Sequence, residues 1–294
     1  MLPLSRDERR LTQLLLLSLA LTAVFLLINA AAFHFTGISY FPRLSTPLIC
    51  LALQFAYFDK IYEHVSPRTG FIIRAAAFYG LANIALALFV SGLQFTPFPP
   101  IDETLQRWDH LLGFDTASVI AWTAAHPLLR RFLDWCYMST DVLVALAPLA
   151  AGFAFDKKRM SVYLHAFVYA FLIGGVFYYI FPSSGPATVY QSPYFAYVQQ
   201  LTSAKFYWVH HRLPVTTMWG GMIAFPSFHV MWAVITTYAA LPYRKLFWGV
   251  AILNVLVIAS TLLLGWHYLV DVPAGISLAA LSLYLGLRTH RSLN

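Results

Sequence analysis

Apolar residues fall in long runs separated by short polar segments, at Leu11–Phe33, Leu44–Phe58, Phe71–Leu93, Phe132–Phe155, Val162–Phe181, His229–Pro242, Leu246–Leu264 and Val272–Leu287. A helix rises 1.5 Å per residue, so about 20 apolar residues cross a hydrocarbon layer ~30 Å thick. The pattern predicts an all-α fold, a polytopic transmembrane helix bundle of about eight spans with a six-helix core. The second and sixth runs are the short ones. Residues 1–131 hold the first three runs and a surface segment, and 132–294 hold the remaining five.

Two connections are long, from Gln94 to Arg131 and from Pro182 to Phe228, and alternation of the spans puts both on one face. The first opens with Pro97, Pro99 and Pro100, which break a helix. Ile101–Asp115 follows, with Leu105, Trp108, Leu111 and Leu112 at helical spacing. That spacing predicts an amphipathic helix lying on the membrane surface. The second connection is rich in Tyr, Trp and His, residues that favour the interface.

Charge fixes the orientation. With the N-terminus inside, 13 of the 19 basic residues fall on the inner side, including Arg6, Arg9, Arg10, Lys60, Arg68 and the Lys157-Lys158-Arg159 run. Only Arg43, Arg107, Arg130, Arg131, Lys205 and Arg212 fall outside. This is the positive-inside pattern, and removing one span would invert everything after it. Charged residues make up 11% of the chain against about 25% in soluble domains, so a soluble domain is excluded. The basic excess reads as topology, and no nucleic-acid partner is expected. Cys50 and Cys136 lie in or beside apolar runs and read as packing residues. The first apolar run exceeds the 7–15 residues of a signal-peptide h-region, so a retained span is expected despite Ala30-Ala31-Ala32.

Candidate chemistry lies near the C-terminal end, in Ala224-Phe225-Pro226-Ser227-Phe228-His229 and Gly265-Trp266-His267-Tyr268-Leu269-Val270-Asp271. Each stretch puts a histidine where an apolar run meets a boundary. Ionisable residues there are functional candidates, although interfacial His, Tyr and Trp also serve as plain anchors. His267 and Asp271 are four apart, a spacing that puts both on one face of a helix. Pro273 fits best in a helix's first turn, so the geometry at His267 is expected to depart from a full helix. A carboxylate on one imidazole nitrogen fixes the tautomer and leaves the other nitrogen free to attack. Ser227 and the amides near it stand where a helix N-terminus receives an anion. Asp141, inside the fourth run, reads as a buried carboxylate.

These residues resemble the type 2 phosphatidic acid phosphatase superfamily, whose motifs are K-x6-R-P, P-S-G-H and S-R-x5-H-x3-D. Here Pro226-Ser227-Phe228-His229 matches the second motif, and Ser260-Thr261 with His267 and Asp271 matches the third. The likeness covers about Val162 to Leu287, with a weaker echo at Leu112-Gly113-Phe114-Asp115. Phe228 replaces the usual glycine, Thr261 replaces a phosphate-binding arginine, and Phe181-Pro182-Ser183-Ser184-Gly185-Pro186 stands where the first motif would be. Those departures look like the branch of inositol phosphorylceramide synthases and their bacterial relatives, with P-S-x-H and G-x-H-Y-x2-D.

The resemblance implies that His267 attacks phosphorus to form a phosphohistidine, Asp271 orients it, and His229 serves as general acid and base. With those cationic ligands missing, the phosphate needs other partners. Arg212, Lys205, His210 and His211 are the basic candidates on the same face, with Tyr268 beside His267. Ser183, Ser184 and Gly185 read either as an amide-lined turn for phosphate or as a plain helix-ending turn. No metal and no cofactor are expected. The expected activity is lipid phosphotransfer, with a lipid phosphate phosphatase as the alternative and a non-catalytic transporter or scramblase as the third reading. The expected partners are membrane lipids, and the expected place is a bacterial inner membrane, with the site on the periplasmic side and both termini cytoplasmic.

Overall fold

The computed structural model describes residues 5–35, 66–217 and 220–293. These residues form ten α-helices and one 3-10 turn, with no strand among them. The helices are α1 (Arg6–Phe33), α2 (Pro67–Gly92), α3 (Asp102–Leu111), α4 (Thr116–Ala124), α5 (Pro127–Phe153), α6 (Lys157–Ile180), α7 (Tyr197–His210), α8 (Phe228–Ala240), α9 (Arg244–Leu263) and α10 (Asp271–Leu293). Six of them, α1, α2, α5, α6, α9 and α10, are long and apolar enough to cross a membrane. The second expected span, Leu44–Phe58, lies outside the described residues, as does Cys50.

Local sequence accounts for the helix starts. Ser5 and Glu8 form a reciprocal capping box on α1. Ser66 caps α2 with Pro67 behind it, and Asp156 caps α6. The helix α6 is apolar on all sides and is the most enclosed, packed against α10, α8 and α2. Cys136 is a buried free cysteine in α5.

Polar links between helix ends define two ends of the bundle. Glu8 pairs with Arg74 near the starts of α1 and α2, and Asn29 donates to the Gly92 carbonyl near their ends, so the two helices run parallel. The helices α5, α6, α8, α9 and α10 then alternate. His267 and His229 lie at one end; Asp7, Glu8, Arg74 and His290 lie at the other.

The short sixth run becomes the 13-residue α8, spanning ~20 Å against ~30 Å for the 20-residue α9. The lower end of α8 meets α6 at the far end, where Arg159 donates to the Tyr238 carbonyl at 3.5 Å. The deficit therefore falls at the upper end, and His229 starts below the bundle rim.

The surface segment departs from its expected form. Ile101–Asp115 is not one helix: α3 stops at Leu111, and Asp115 caps α4 by accepting from the Ser118 amide at 2.9 Å. The expected apolar positions divide between the core and the outer surface, where an interfacial helix would present them to lipid. Leu105 is buried, but Trp108, Leu111 and Leu112 are exposed. The face turned into the protein carries Asp102, Leu105 and Asp109, because both carboxylates find backbone amides there. Asp141 is another correction: it is exposed on α5 rather than buried.

Candidate active site

Three connections converge at the histidine end: residues 181–188, 220–228 and 264–270. The Ser183 carbonyl accepts from the Ala224 amide at 3.0 Å, joining the first to the second. Gly185, at φ +99°, brings the first against the third; a Cβ there would stand 2.9 Å from the Trp266 carbonyl. The third is closed by Thr261, whose carbonyl accepts from the Trp266 and His267 amides at 2.9 and 3.1 Å.

His267 precedes α10 in a turn, as Pro273 in the first turn of that helix foreshadowed. The four-residue spacing to Asp271 is thus spanned by a turn, not by a continuous helix. Asp271 is the first residue of α10. Its Oδ2 faces His267 Nδ1 at 3.1 Å and accepts from the Tyr268 amide at 3.0 Å. Asp271 is fully buried and His267 is 4% exposed. Burial pushes the His267 imidazole down to about 4, against the opposing pull of the Ala224 carbonyl, so the ring is neutral at physiological pH. A neutral ring donating through Nδ1 leaves Nε2 with a free lone pair.

His229, in the first turn of α8, brings its ring centroid within 5.8 Å of the His267 ring, at an interplanar angle of 60°. It stacks on Tyr137 of α5 at 4.2 Å, and Tyr137 stacks in turn on Trp266 at 5.0 Å. This aromatic pile, which the sequence did not single out, sets the plane of the His229 ring. The close approach of α10 to α8 depends on Gly275, one turn beyond Asp271: a Cβ there would lie 2.9 Å from both the Ser227 carbonyl and Val230 Cβ.

The remaining candidates divide. Ser227 is buried, and its hydroxyl accepts from the Val230 amide at 3.3 Å as the cap of α8. Lys205 is buried too and donates to the Gly220 carbonyl, close before the His229 segment; burial pushes its ammonium down to about 8. Arg212 is exposed and lies over the Phe95 ring at 5.5 Å. His211 is exposed, donating to the Tyr207 carbonyl and stacked on that ring, while His210 packs on Phe206 and Phe95. Among the described residues, Arg212, His210 and His211 make their contacts with Phe95, Phe206 and Tyr207 rather than with the histidine pair.

The amide turn at 183–185 already holds an anion from the protein itself. Asp102 Oδ1 accepts from the Ser183 hydroxyl at 2.8 Å, the Gly185 amide at 3.0 Å and the Tyr268 hydroxyl at 3.2 Å. Its Oδ2 faces the Ser184 amide at 3.4 Å. The Tyr268 side chain is thereby turned under the loops, and the Ser184 hydroxyl is engaged with Thr188. Asp109, two turns further along α3, accepts from the Leu269 amide at 2.7 Å and the Val270 amide at 3.1 Å. Neither aspartate belongs to a motif legible in the sequence. Their signal is the seven-residue spacing that puts Asp102 and Asp109 on one face of a helix, hidden by the adjacent apolar stripe.

Neither a curated protein nor a solved structure matches the chain. A family model described as the PAP2 superfamily matches residues 103–285, a stretch that takes in α3 after its first residue, Asp102, with all three connections and both histidines. The match covers more than half of the 294 residues and carries with it an activity of the lipid phosphatase or phosphotransferase type. The chain belongs to the PAP2 superfamily.

Proposed function

We propose that the protein is an integral-membrane lipid phosphotransferase. It moves a phosphoryl group or a phospho-headgroup from a lipid donor to an alcohol acceptor. His267 Nε2 attacks phosphorus and forms the N–P bond as the donor's P–O bond breaks. His229 gives its proton to the departing oxygen. The acceptor hydroxyl then loses its proton to His229 and attacks the phosphohistidine, which returns His267 unchanged. Asp271 holds Nδ1–H throughout and balances the charge that the ring gains. This is the chemistry of a His-His-Asp centre.

The observation that carries the reading is the buried His267–Asp271 bond with His229 across from it at 5.8 Å. The 5.8 Å is measured between ring centroids and brings the two imidazoles close enough to engage one phosphate ester. The neutral state of His267 supports its role as nucleophile. Lys205 is the favoured phosphate cation, since it is buried next to the 220–229 segment and, among the described residues, donates to the Gly220 carbonyl rather than to a carboxylate. Arg212 reaches phosphate only by leaving Phe95. The departures at Phe228 and Thr261 favour the transferase over the phosphatase, and a phosphoinositol headgroup is the cargo that the resembling branch would carry. Membrane lipids are then donor and acceptor; the basic-residue distribution supports a site on the non-cytoplasmic side with both termini cytoplasmic, and a bacterial inner membrane with the site on its periplasmic side is part of the proposal.

The test is turnover of a phosphorus-labelled lipid donor by the purified protein, with and without a lipid alcohol. Product that appears only with the acceptor is the expected result. Phosphate released equally without acceptor would make water the acceptor and the protein a lipid phosphate phosphatase. Lipid movement without turnover, surviving His267→Ala, would make it a transporter.

A further inference from the structure

Both histidines are tied to one short helix that carries neither. Asp102 of α3 gathers Ser183, Ser184, Gly185 and the Tyr268 hydroxyl. The Ser183 carbonyl then holds the Ala224 amide, five residues before His229. Asp109 of the same helix holds the Leu269 and Val270 amides, two and three residues after His267. Both carboxylates are buried, at 2% and 0% exposure, so their bonds are shielded from water. Leu105 is buried between them and fixes the helix axially. One rigid element thus reaches both histidine-bearing connections.

We infer that Asp102 and Asp109 are positioning residues of the phosphotransfer centre, through which α3 sets the separation and height of His267 relative to His229. This rests on the proposed phosphohistidine reading. Neither aspartate touches substrate. The Asp102 carboxylate occupies the Ser183 hydroxyl and the Ser184 and Gly185 amides, so those groups hold the scaffold and the phosphate is bound elsewhere. In-line transfer between two imidazoles depends on distance: a misplacement of about 1 Å costs on the order of 10²-fold in rate. An Asn at position 109 keeps the size but turns an NH2 toward one of two backbone N–H groups, which pushes the 268–270 segment away.

The experiment compares Asp102→Asn, Asp109→Asn and Tyr268→Phe with Glu103→Gln, an exposed neighbour on α3. It uses lipid turnover and the affinity of orthovanadate, which adopts the five-coordinate geometry of transferring phosphorus. Each Asn variant is expected to lower kcat by about 10²-fold with KM within about threefold, and to weaken vanadate by at least about tenfold. Tyr268→Phe, which deletes only a hydroxyl, is expected to lower kcat by about fivefold. Glu103→Gln is expected to match the wild type. A merely structural role would reduce the amount of folded enzyme and leave the vanadate affinity of the folded fraction unchanged; that result overturns the inference. If the Asn variants do not fold, Tyr268→Phe decides: unchanged kcat and vanadate affinity overturn it. A wild type that turns over lipid but binds vanadate as tightly as its His267→Ala variant overturns the phosphohistidine reading, and the inference with it.

Discussion

The two ends of the bundle are held by different means. At the histidine end, the carboxylates Asp102, Asp109 and Asp271 are buried, and each accepts from backbone amides. At the opposite end, Glu8 pairs with Arg74 and Asp7 with His290 through side chains that keep part of their exposure. A cavity of about 320 Å³ opens there, lined by Asp7, Glu8, Arg74 and His165 among apolar neighbours. Amide partners have fixed directions and long flexible side chains do not. A buried carboxylate on two amides therefore defines a position, whereas a half-exposed ion pair only ties two helices together. Precision is concentrated where the chemistry is proposed.

The largest test of that contrast is at the centre itself. His267→Ala is expected to abolish phosphotransfer, a loss of about 10⁴-fold or more, and Asp271→Asn to cost nearly as much, because members of such a unit fail together. Labelled-lipid turnover measures both. A His267→Ala enzyme with wild-type turnover would remove the centre from the histidine end.

The next test uses pH. Burial raises the Asp102 carboxyl to about 6, against the hydrogen bonds from Ser183, Gly185, Ser184 and Tyr268. Above that pH the ionised group accepts from all its donors; below it the proton breaks the cradle. Turnover is therefore expected to fall on acidification through about 6, although His267 stays neutral down to about 4. Asp102→Asn is expected to be slow and flat across the same range. Stability moves the other way at this residue. The folded state binds the proton more tightly than the unfolded chain does, with its ordinary value of 3.8. The cost of burying the charge is present above about 6 and is relieved as pH falls toward 3.8. A wild-type rate that falls only together with unfolding would break this account.

The smallest effect belongs to the opposite end. Glu8→Ala removes a pair whose side chains are 21% and 20% exposed together with the Glu8 half of the α1 capping box, and is expected to cost about 1–2 kcal/mol of stability, with kcat unchanged. Thermal melting beside turnover measures this. A large loss of turnover would show that the far end is coupled to the site.

The hydrophobic pattern was enough for the helical bundle, because crossing a hydrocarbon layer constrains length and polarity residue by residue. It located α1, α2, α5, α6, α9 and α10 and marked the short sixth run that becomes α8. Local motif spacing was enough for His267 with Asp271, since four residues and a helix start bring them together without distant parts of the chain. The face of α3 was another matter. Periodicity picks out apolar stripes, and nothing in Asp102 or Asp109 alone says that amides from residues 184–185 and 269–270 await them. The same holds for Tyr137 under His229, for the placement of Arg212 on Phe95 and for the exposure of Asp141. The sequence by itself determined a helical membrane-type chain with histidines at a boundary. Only the tertiary structure decided which carboxylates fill which amide turns, because those partners lie 83 and 160 residues apart and meet only when the helices pack.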